Sequence, residues 1–448
     1  MLEDLLQSTT KKLSNLSKVH KQLIFILVTS FLIKIIYVFH FTDYKNYLFS
    51  DMGGYWGRAQ ERYDGGIFNL GQWTAWVPFY HFYLAEVFKL LAFLHLFDHK
   101  LEIVLILNII YSTISVYCLY FVSKQILKND NHSLLVTLLY AFTYPFIYLN
   151  AFVLTENFAI PLLILSVCLL FNCHEKKSAL FINGLIFGIA VATRPSLLPV
   201  AISFFLYIIY ATIPNRKSLL RGAVFALGFA LIIFFTIVEI SHISKGEVVG
   251  LCGNTGAVFF ISQCKHHSIE SHYNGYVFSI GPPLNWQHSD WSDYKTEHPL
   301  HDQSYFYKLG YECMKSNPHY LVESFKNLKT LFFNTLMPAV SSAASFDFFI
   351  KLSSYVIFFM TISLGFLYFL IRDKVVETKK VLFLLSIPFC TILMSFFYPP
   401  EQRYFYSCVF VIYILFFTML THLKKYSKEV KIYLISLVLI YFLFFNRI

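Results

Sequence analysis

The sequence predicts an all-α integral membrane bundle, and three observations predict it. Of its 448 residues, 57% are hydrophobic, 19% aromatic and only 14% charged, where a soluble domain carries about 25% charged residues. Apolar runs long enough to cross a bilayer, at about 20 residues each, recur down the chain. The basic residues gather in short stretches between those runs: KKLSNLSKVHK at 11–21, PNRKSLLR at 214–221, RDKVVETKK at 372–380 and LKKYSKEVK at 423–431. That distribution holds loops on the cytoplasmic face. It accounts for the net charge of +10 and argues against a nucleic-acid partner, since no basic stripe interleaved with stacking aromatics lies outside the apolar runs.

The first run, 22–41, is too long for a signal-peptide core and no small-residue cleavage site follows it. It reads as an uncleaved first span with a cytoplasmic N-terminus. With basic loops inside and the others outside, spans fall at 22–40, 101–122, 133–149, 157–173, 181–193, 196–213, 219–241, 347–371, 381–398, 403–422 and 432–446, eleven in all. The stretch HFYLAEVFKLLAFLHLF at 81–97 breaks the alternation if it crosses, since the lysines of 124–128 and 174–177 would then lie outside. It carries His81, Glu86, Lys89 and His95 at a spacing that suits an interfacial amphipathic helix. A twelve-span version stays open. The chain divides into three parts: an N-terminal membrane module 1–241 with the outer loop 41–100, a second outer loop 242–346 with a surface-lying segment at 326–340, and C-terminal spans 347–448. Outer loops of this length usually carry function. No internal repeat supports an inverted-repeat transporter. The eight cysteines form no metal-type CxxC pair, and Cys252 with Cys264 is the candidate disulfide of the second loop.

Polar residues in so apolar a chain are the candidates for chemistry. In SDMGGYWGRAQERYDGG, 50–66, Ser50 can cap a helix and Gly65-Gly66 can end it. Asp51, Tyr55, Arg58 and Arg62 then share one face. Gly53, Gly54 and Gly57 cost helix stability, as glycine does where another segment or ligand approaches closely. A carboxylate beside cations suits transfer from a phosphate leaving group, the acid taking a proton while cations hold the phosphate. The plainer reading is that Asp51 caps its helix and pairs with Arg58. Asp43 is the second candidate acid, or else a solvated turn residue.

This stretch and the apolar helix downstream of it carry a resemblance. SDMGGYWGRA, then WVPFYHFYLAEVFKLL, resembles the first outer loop of GT-C superfamily membrane glycosyltransferases, in the branch of protein O-mannosyltransferases and lipid A aminoarabinose transferases. Asp51, Tyr55, Ala59 and Pro78-Phe79-Tyr80 stand at the matching positions. LTENFAIPLLIL at 154–165, ATRPSLLPV at 192–200, GNTGAVFFISQCKHH at 253–267 and PPEQRYFY at 399–406 agree in order. The chain departs from that pattern where one acid replaces the usual pair and Val77 replaces a proline.

The resemblance implies a GT-C-type multi-spanning helical bundle. It implies a polyprenyl-phosphate sugar lipid as donor, with transfer to a lipid, glycan or protein acceptor on the outer side of the membrane. Asp51 becomes the general base, with Tyr55 and Arg58 orienting it, and Lys265, His266 and His267 fall where such transferases hold lipid phosphate. Arg403 and Arg194, at outer span ends, are further phosphate ligands, since a guanidinium there needs a partner; snorkelling or a structural pair is their plainer reading. Glu156 at a span end is functional or pairs with a neighbouring helix, while Lys34 and Glu239 read as structural. No metal site stands out, although relatives that use a divalent ion keep a divalent metal ion open as cofactor. No GxxxxGK[ST] or GxGxxG motif points to a nucleotide. Short cytoplasmic loops fit a bacterial inner membrane. The rival is a transporter or flippase of a lipid-linked substrate, which needs no base and places charges facing one another at mid-membrane.

Overall fold

Every regular element among the described residues is helical, and the sequence shows why each begins and ends where it does. The computed structural model describes residues 17–65, 78–173, 175–212, 218–246, 248, 250–263, 302–316, 318, 331–332, 347–374, 376–397 and 402–422. Helix α1, Lys18–Ile36, starts where the Ser17 hydroxyl accepts from the His20 amide and runs on through a π-helical turn, Tyr37–Phe41. Next come α2, Ser50–Tyr63, and α3, Pro78–Phe93. α2 begins at Ser50 itself, with Phe49 in the N-cap position and no side-chain cap, and ends at Gly65 with φ +70°.

Helix α4, Lys100–Leu127, stops at Lys128 in the left-handed region. The Asn129 carboxamide caps α5, Asp130–Phe142. Pro145 then breaks the run into α6, Tyr144–Tyr148, bent from α5 by 56°. The carbonyls freed at that break lie in the protein interior, where bare backbone polar groups are costly. Asparagines satisfy them: Asn157 donates to the carbonyls of Leu149 and Phe152 at 2.7 and 2.8 Å, Asn108 donates to Phe152 at 3.0 Å, and Asn150 donates to Phe146.

The remaining helices are α7, Glu156–Cys173; α8, Lys177–Thr193; α9, Leu198–Thr212; α10, Ser218–Ile243; α11, Thr255–Gln263; α12, Gln303–Ser316; α13, Asp347–Ser363; α14, Leu367–Arg372; α15, Thr378–Met394; α16, Gln402–Phe405; and α17, Val409–His422. Six segments are long and apolar enough to span, namely Lys18–Phe41, Phe97–Leu127, Glu156–Cys173, Ser218–Ile243, Phe348–Arg372 and Arg403–His422. The bent pair α5–α6 makes up to 7, and Lys177–Thr193 and Pro195–Tyr210 are shorter apolar helices. Each of the first ten expected spans is thus a helix, but fewer than eleven have full spanning length; 432–446 lies outside the described residues. α3 is not a spanning candidate. It packs on α2 and α8, burying His81, while Glu86 and Lys89 pair on its exposed side at 2.7 Å.

α17 is the central helix, buried among α4, α5, α13 and α15. Around it the basic loops converge on one end. Lys128 pairs with Glu377 at 4.0 Å, Lys380 reaches Gln125 at 3.5 Å, Gln125 bonds Asn172 at 2.9 Å, and Lys379 reaches the Tyr210 carbonyl at 3.0 Å. α2, α3 and the start of α7 lie at the other end. One further expectation changes. Cys252 is a reduced thiol donating to Asn254 Oδ1 at 2.6 Å, whereas among the described residues it is Cys313 on α12 that is disulfide-bonded. Within 326–340, the described residues Leu331 and Phe332 are buried in the core, with Phe332 edge-on to Phe405 at 4.5 Å.

α8 and α10 meet along glycines that let their backbones touch. A Cβ at Gly184 would meet the Phe225 carbonyl oxygen at 2.2 Å, and one at Gly228 would meet the Phe181 carbonyl oxygen at 2.3 Å. Neither oxygen can yield without moving a helix. Gly57 on α2 differs, since among the described residues nothing lies within 4 Å of its added Cβ; no close approach explains it. Gly228→Ala is therefore expected to destabilise by about 1–3 kcal/mol through overpacking. Gly57→Ala should leave stability unchanged or raise it by about 0.5–1 kcal/mol. Thermal unfolding of both variants in detergent checks this.

Candidate active site

At the end opposite the basic loops, four charged side chains from distant parts of the chain meet. Each sits at an element end or on α2, where the chain leaves the apolar layer. Glu156 is the first residue of α7 and is 2% exposed. Arg194 follows α8 and precedes Pro195, so its extended backbone ends the helix there; it is 5% exposed. Arg403 lies in α16, at the head of the span that continues as α17. Asp51 is in the first turn of α2.

Their contacts form a chain of alternating charge. Arg403 Nη2 donates to Asp51 Oδ2 at 2.6 Å, and its Nε lies 3.6 Å from Glu156 Oε1. Glu156 Oε1 is also 2.8 Å from Arg194 Nη1. Arg194 Nη1 donates to the Thr155 hydroxyl at 3.3 Å, and that hydroxyl donates to Glu156 Oε2 at 2.9 Å. The Tyr404 ring lies 4.7 Å from the Arg194 guanidinium carbon and 5.7 Å from that of Arg403. The Arg194–Glu156 contact is an ion pair out of hydrogen-bond alignment. Glu156 Oε1 receives no aligned donor, and Arg194 Nη2 is buried with no hydrogen-bond partner among the described residues. An unused donor on a buried guanidinium is poised for an anion.

All four residues line a cavity of about 710 Å³. Thr155, Tyr55 and Tyr404 complete its charged pole, and Leu197, Leu198, Ile233, Ile237, Val258 and Leu331 line its apolar part. α11 and α12 close another side with Asn254, Thr255, Gln303 and Tyr307. The two helices lie close because a Cβ at Gly256 would meet the Gln303 carbonyl oxygen at 2.7 Å. α2 is fixed from its other end by Arg62, whose Nη2 donates to Glu239 Oε1 at 2.9 Å.

The structure therefore brings together Asp51, Tyr55, Glu156, Arg194 and Arg403 of the residues singled out in sequence. Asp43 is exposed and accepts from Asn46 at 2.5 Å, outside the cavity lining. Arg58 does not line the cavity either, and the ion pair of Asp51 is to Arg403, a pairing that sequence reasoning had given to Arg58. Burial pushes the Tyr55 phenol well above its usual range, with Asp51 and Glu156 adding to it, so Tyr55 is a neutral hydroxyl here. Burial also brings the Arg58 guanidinium down to about 10, which leaves it cationic at neutral pH. Lys265, His266 and His267 lie outside the described residues. Lys34 is fully buried and donates to the Ser112 hydroxyl at 2.8 Å, a structural bond within the spans. Thr155 and Tyr404 were missed. Their signal was adjacency to Glu156 and Arg403.

A divalent ion fits these residues poorly. The cavity carboxylates are Asp51 and Glu156, each held by a guanidinium, and among the described residues no three His, Cys, Asp or Glu side chains gather. Removing the central carboxylate should expose how much the arrangement depends on it. Glu156→Gln leaves a buried guanidinium short of its counter-charge, and breaking such a pair costs about 3–5 kcal/mol. A fall in the detergent unfolding midpoint, larger than that of Asp43→Asn, is the expected outcome.

Comparison with known proteins extends this picture. No curated protein matches the chain. Residues 78–240, from the start of α3 to near the end of α10, match the family model described as dolichyl-phosphate-mannose-protein mannosyltransferase. That span includes Glu156 and Arg194, while Asp51 and Arg403 lie outside it. The match bears out the resemblance to the GT-C superfamily, to which that family belongs, and indicates a membrane glycosyltransferase that uses a polyprenyl-phosphate sugar.

Proposed function

We propose that the chain transfers a sugar from a polyprenyl phosphate to an acceptor hydroxyl with Asp51 as general base, at the membrane face opposite its basic loops. The observation that carries this reading is the Asp51–Arg403–Glu156–Arg194 chain at the charged pole of a largely apolar cavity. The apolar part suits the prenyl tail. Arg194, with its unused Nη2, and Arg403 suit the phosphate. In the reaction the acceptor oxygen attacks the sugar carbon and its proton passes to Asp51. The bond from that carbon to the phosphate oxygen breaks, and the electron pair leaves with polyprenyl phosphate, which the two guanidiniums hold. Attack from the face opposite the leaving group inverts the sugar carbon.

The ion pair of Asp51 with Arg403 gives this reading an order of events. A carboxylate held at 2.6 Å by a guanidinium is a committed acceptor. A phosphate that engages Arg403 competes for that guanidinium and frees Asp51 oxygen for the acceptor hydroxyl. Donor binding thus readies the base. The same geometry weighs against a transporter, whose charges face each other at mid-membrane; here Asp51, Glu156, Arg194 and Arg403 sit together at one end of the spans.

The side is supported by two features. The basic loops meet at the opposite end, as the positive-inside rule requires of a cytoplasmic face. The disulfide-bonded Cys313 on α12 belongs in an oxidising compartment. A bacterial inner membrane with a cytoplasmic N-terminus and a periplasmic site fits both.

Two experiments test this reading. Radiolabelled polyprenyl-phosphate sugars are offered to purified protein, and Asp51→Asn should lower turnover by about 10²–10⁴-fold, the range of general-base catalysis, with donor binding kept. Arg194→Ala should instead weaken donor binding by about tenfold or more, the weight of a charged hydrogen bond. Undiminished turnover in Asp51→Asn removes Asp51 as base, and binding without turnover of any carrier sugar by the unmodified chain returns the case to a transporter. For the side, non-reducing electrophoresis of protein made in an exporting cell should show a mobility difference on reduction. That difference should be lost in Cys313→Ser and kept in Cys252→Ser.

A further inference from the structure

Thr155 immediately precedes α7, in the position where a threonine hydroxyl ordinarily accepts an amide of the first helical turn. Here backbone carbonyls take those amides. The Asn157 amide donates to the Leu154 carbonyl at 3.2 Å, and the Phe158 and Ala159 amides donate to the Thr155 carbonyl at 3.2 and 2.8 Å. The Thr155 hydroxyl is turned to the charged pole instead, accepting from Arg194 Nη1 at 3.3 Å and donating to Glu156 Oε2 at 2.9 Å. The residue is 5% exposed and lines the cavity.

A guanidinium and a carboxylate that meet without constraint close into a fork, two nitrogens on two oxygens. Arg194 and Glu156 meet differently. Nη1 lies 2.8 Å from Oε1, and Nη2 is buried with no hydrogen-bond partner among the described residues. The second carboxylate oxygen that a fork needs, Oε2, holds the proton of Thr155. The oxygen of Thr155 in turn holds Nη1. The Tyr404 ring lies against the same guanidinium, 4.7 Å from its carbon. The pair is thus kept to one nitrogen and one oxygen although both charges are buried side by side.

We propose that Thr155 is a positioning residue for donor binding. By engaging Glu156 Oε2 and Arg194 Nη1 it keeps their ion pair from closing into a fork, and so keeps Nη2 for the donor phosphate. The inference rests on the reading of Arg194 as a phosphate ligand. Without the hydroxyl, Oε2 is a buried carboxylate oxygen that has lost its donor, which is costly, and the guanidinium beside it supplies a replacement. The pair then closes and Nη2 is engaged. Stability is kept and affinity for the phosphate is lost. A hydroxyl that served only as the cap of α7 gives the reverse, a loss of stability with affinity unchanged.

Binding of a polyprenyl phosphate, and of the uncharged polyprenol of the same length, to the full chain in detergent tests this, with thermal unfolding measured on the same samples. The unmodified chain should prefer the phosphate. Thr155→Val, which keeps the shape and removes the hydroxyl, should cut that preference by about tenfold or more, the weight of a hydrogen bond to a charged group. Affinity for the polyprenol and the unfolding midpoint should be kept. Thr155→Ala, which brings no methyl group into the place of the hydroxyl, should do the same, and Thr155→Ser should retain the full preference. An undiminished preference in Thr155→Val and Thr155→Ala overturns the assignment, and a lowered midpoint beside it returns Thr155 to the cap of α7. An equal loss in Thr155→Ser overturns it as well, since the hydroxyl is then not the cause. Equal binding of the two lipids by the unmodified chain overturns instead the phosphate role of Arg194, on which the inference rests.

Discussion

The arrangement of this molecule turns on the carboxylate of Glu156. A charge so deeply buried is tolerated only with a counter-charge, because removing an ion from water costs several kcal/mol. Glu156 has two, Arg194 at 2.8 Å and the Nε of Arg403 at 3.6 Å. The three residues come from the start of α7, the end of α8 and the head of the span that ends in α17, so one side chain fixes three element ends in one place. Through Arg403 the constraint passes to Asp51 and α2. A buried ion pair is weak support for stability, since well-packed apolar groups serve as well or better. Its use here is positional: it sets two guanidiniums and one further carboxylate around a single cavity.

Other parts of the fold hold that constraint in register. The backbone break after α5 carries Thr155 and Glu156 to the site, and the carboxamides of Asn108, Asn150 and Asn157 make that irregular segment tolerable inside the protein. The glycine contact of α8 with α10 brings those helices to backbone contact. It thereby relates Arg194, at the end of α8, to Glu239 on α10, which holds Arg62 at the far end of α2. α2 is further tied where Lys100 donates to Gln60, and the segment before it where the Tyr44 hydroxyl donates to Glu102 at 3.1 Å. The acid-bearing helix is thus clamped on both sides of Asp51 by contacts that its own sequence does not contain.

That division explains how much was legible beforehand. Helices, their apolar character, the basic end and the shared face of Asp51 and Tyr55 are local or compositional properties, and a sequence displays those directly. The partner of Asp51 is 352 residues away, and no periodicity reports such a pairing. The nearer Arg58, seven positions on, was the natural choice and the structure gives the ion pair to Arg403. The count of eleven spans is not confirmed for a related reason: α8 and α9 are apolar but short, and a hydropathy reading cannot tell a short span from a full one. The disulfide was misread because a shared loop says nothing of contact: the Cys252 thiol meets Asn254, while the disulfide-bonded Cys313 lies on α12, which packs against α11. Tyr404 and Thr155 carry no signature of their own; only their neighbours did.

The charge of the cavity gives the proposed chemistry its last constraint. Asp51 and Glu156 balance Arg194 and Arg403, so the charged pole is neutral before any substrate arrives, as a low-dielectric site requires. A sugar joined to a prenyl phosphate brings a singly charged phosphodiester, and the unpartnered Nη2 of Arg194 offers it a donor without displacing a protein group. When the sugar leaves, the phosphate gains a negative charge, and in the same step Asp51 loses one by taking the acceptor's proton. The total charge enclosed is the same before and after transfer. A base set on the same guanidinium that holds the leaving group lets that exchange occur along one side chain. Arg403, already drawn to the phosphate when the donor binds, meets the charge that grows there as Asp51 becomes neutral, and no charge has to be created or abandoned in the apolar cavity. A base remote from the phosphate ligands would have to separate those charges across it. In the proposed reaction the 2.6 Å contact between Asp51 and Arg403, which looks at first like an acid put out of use, couples the two halves.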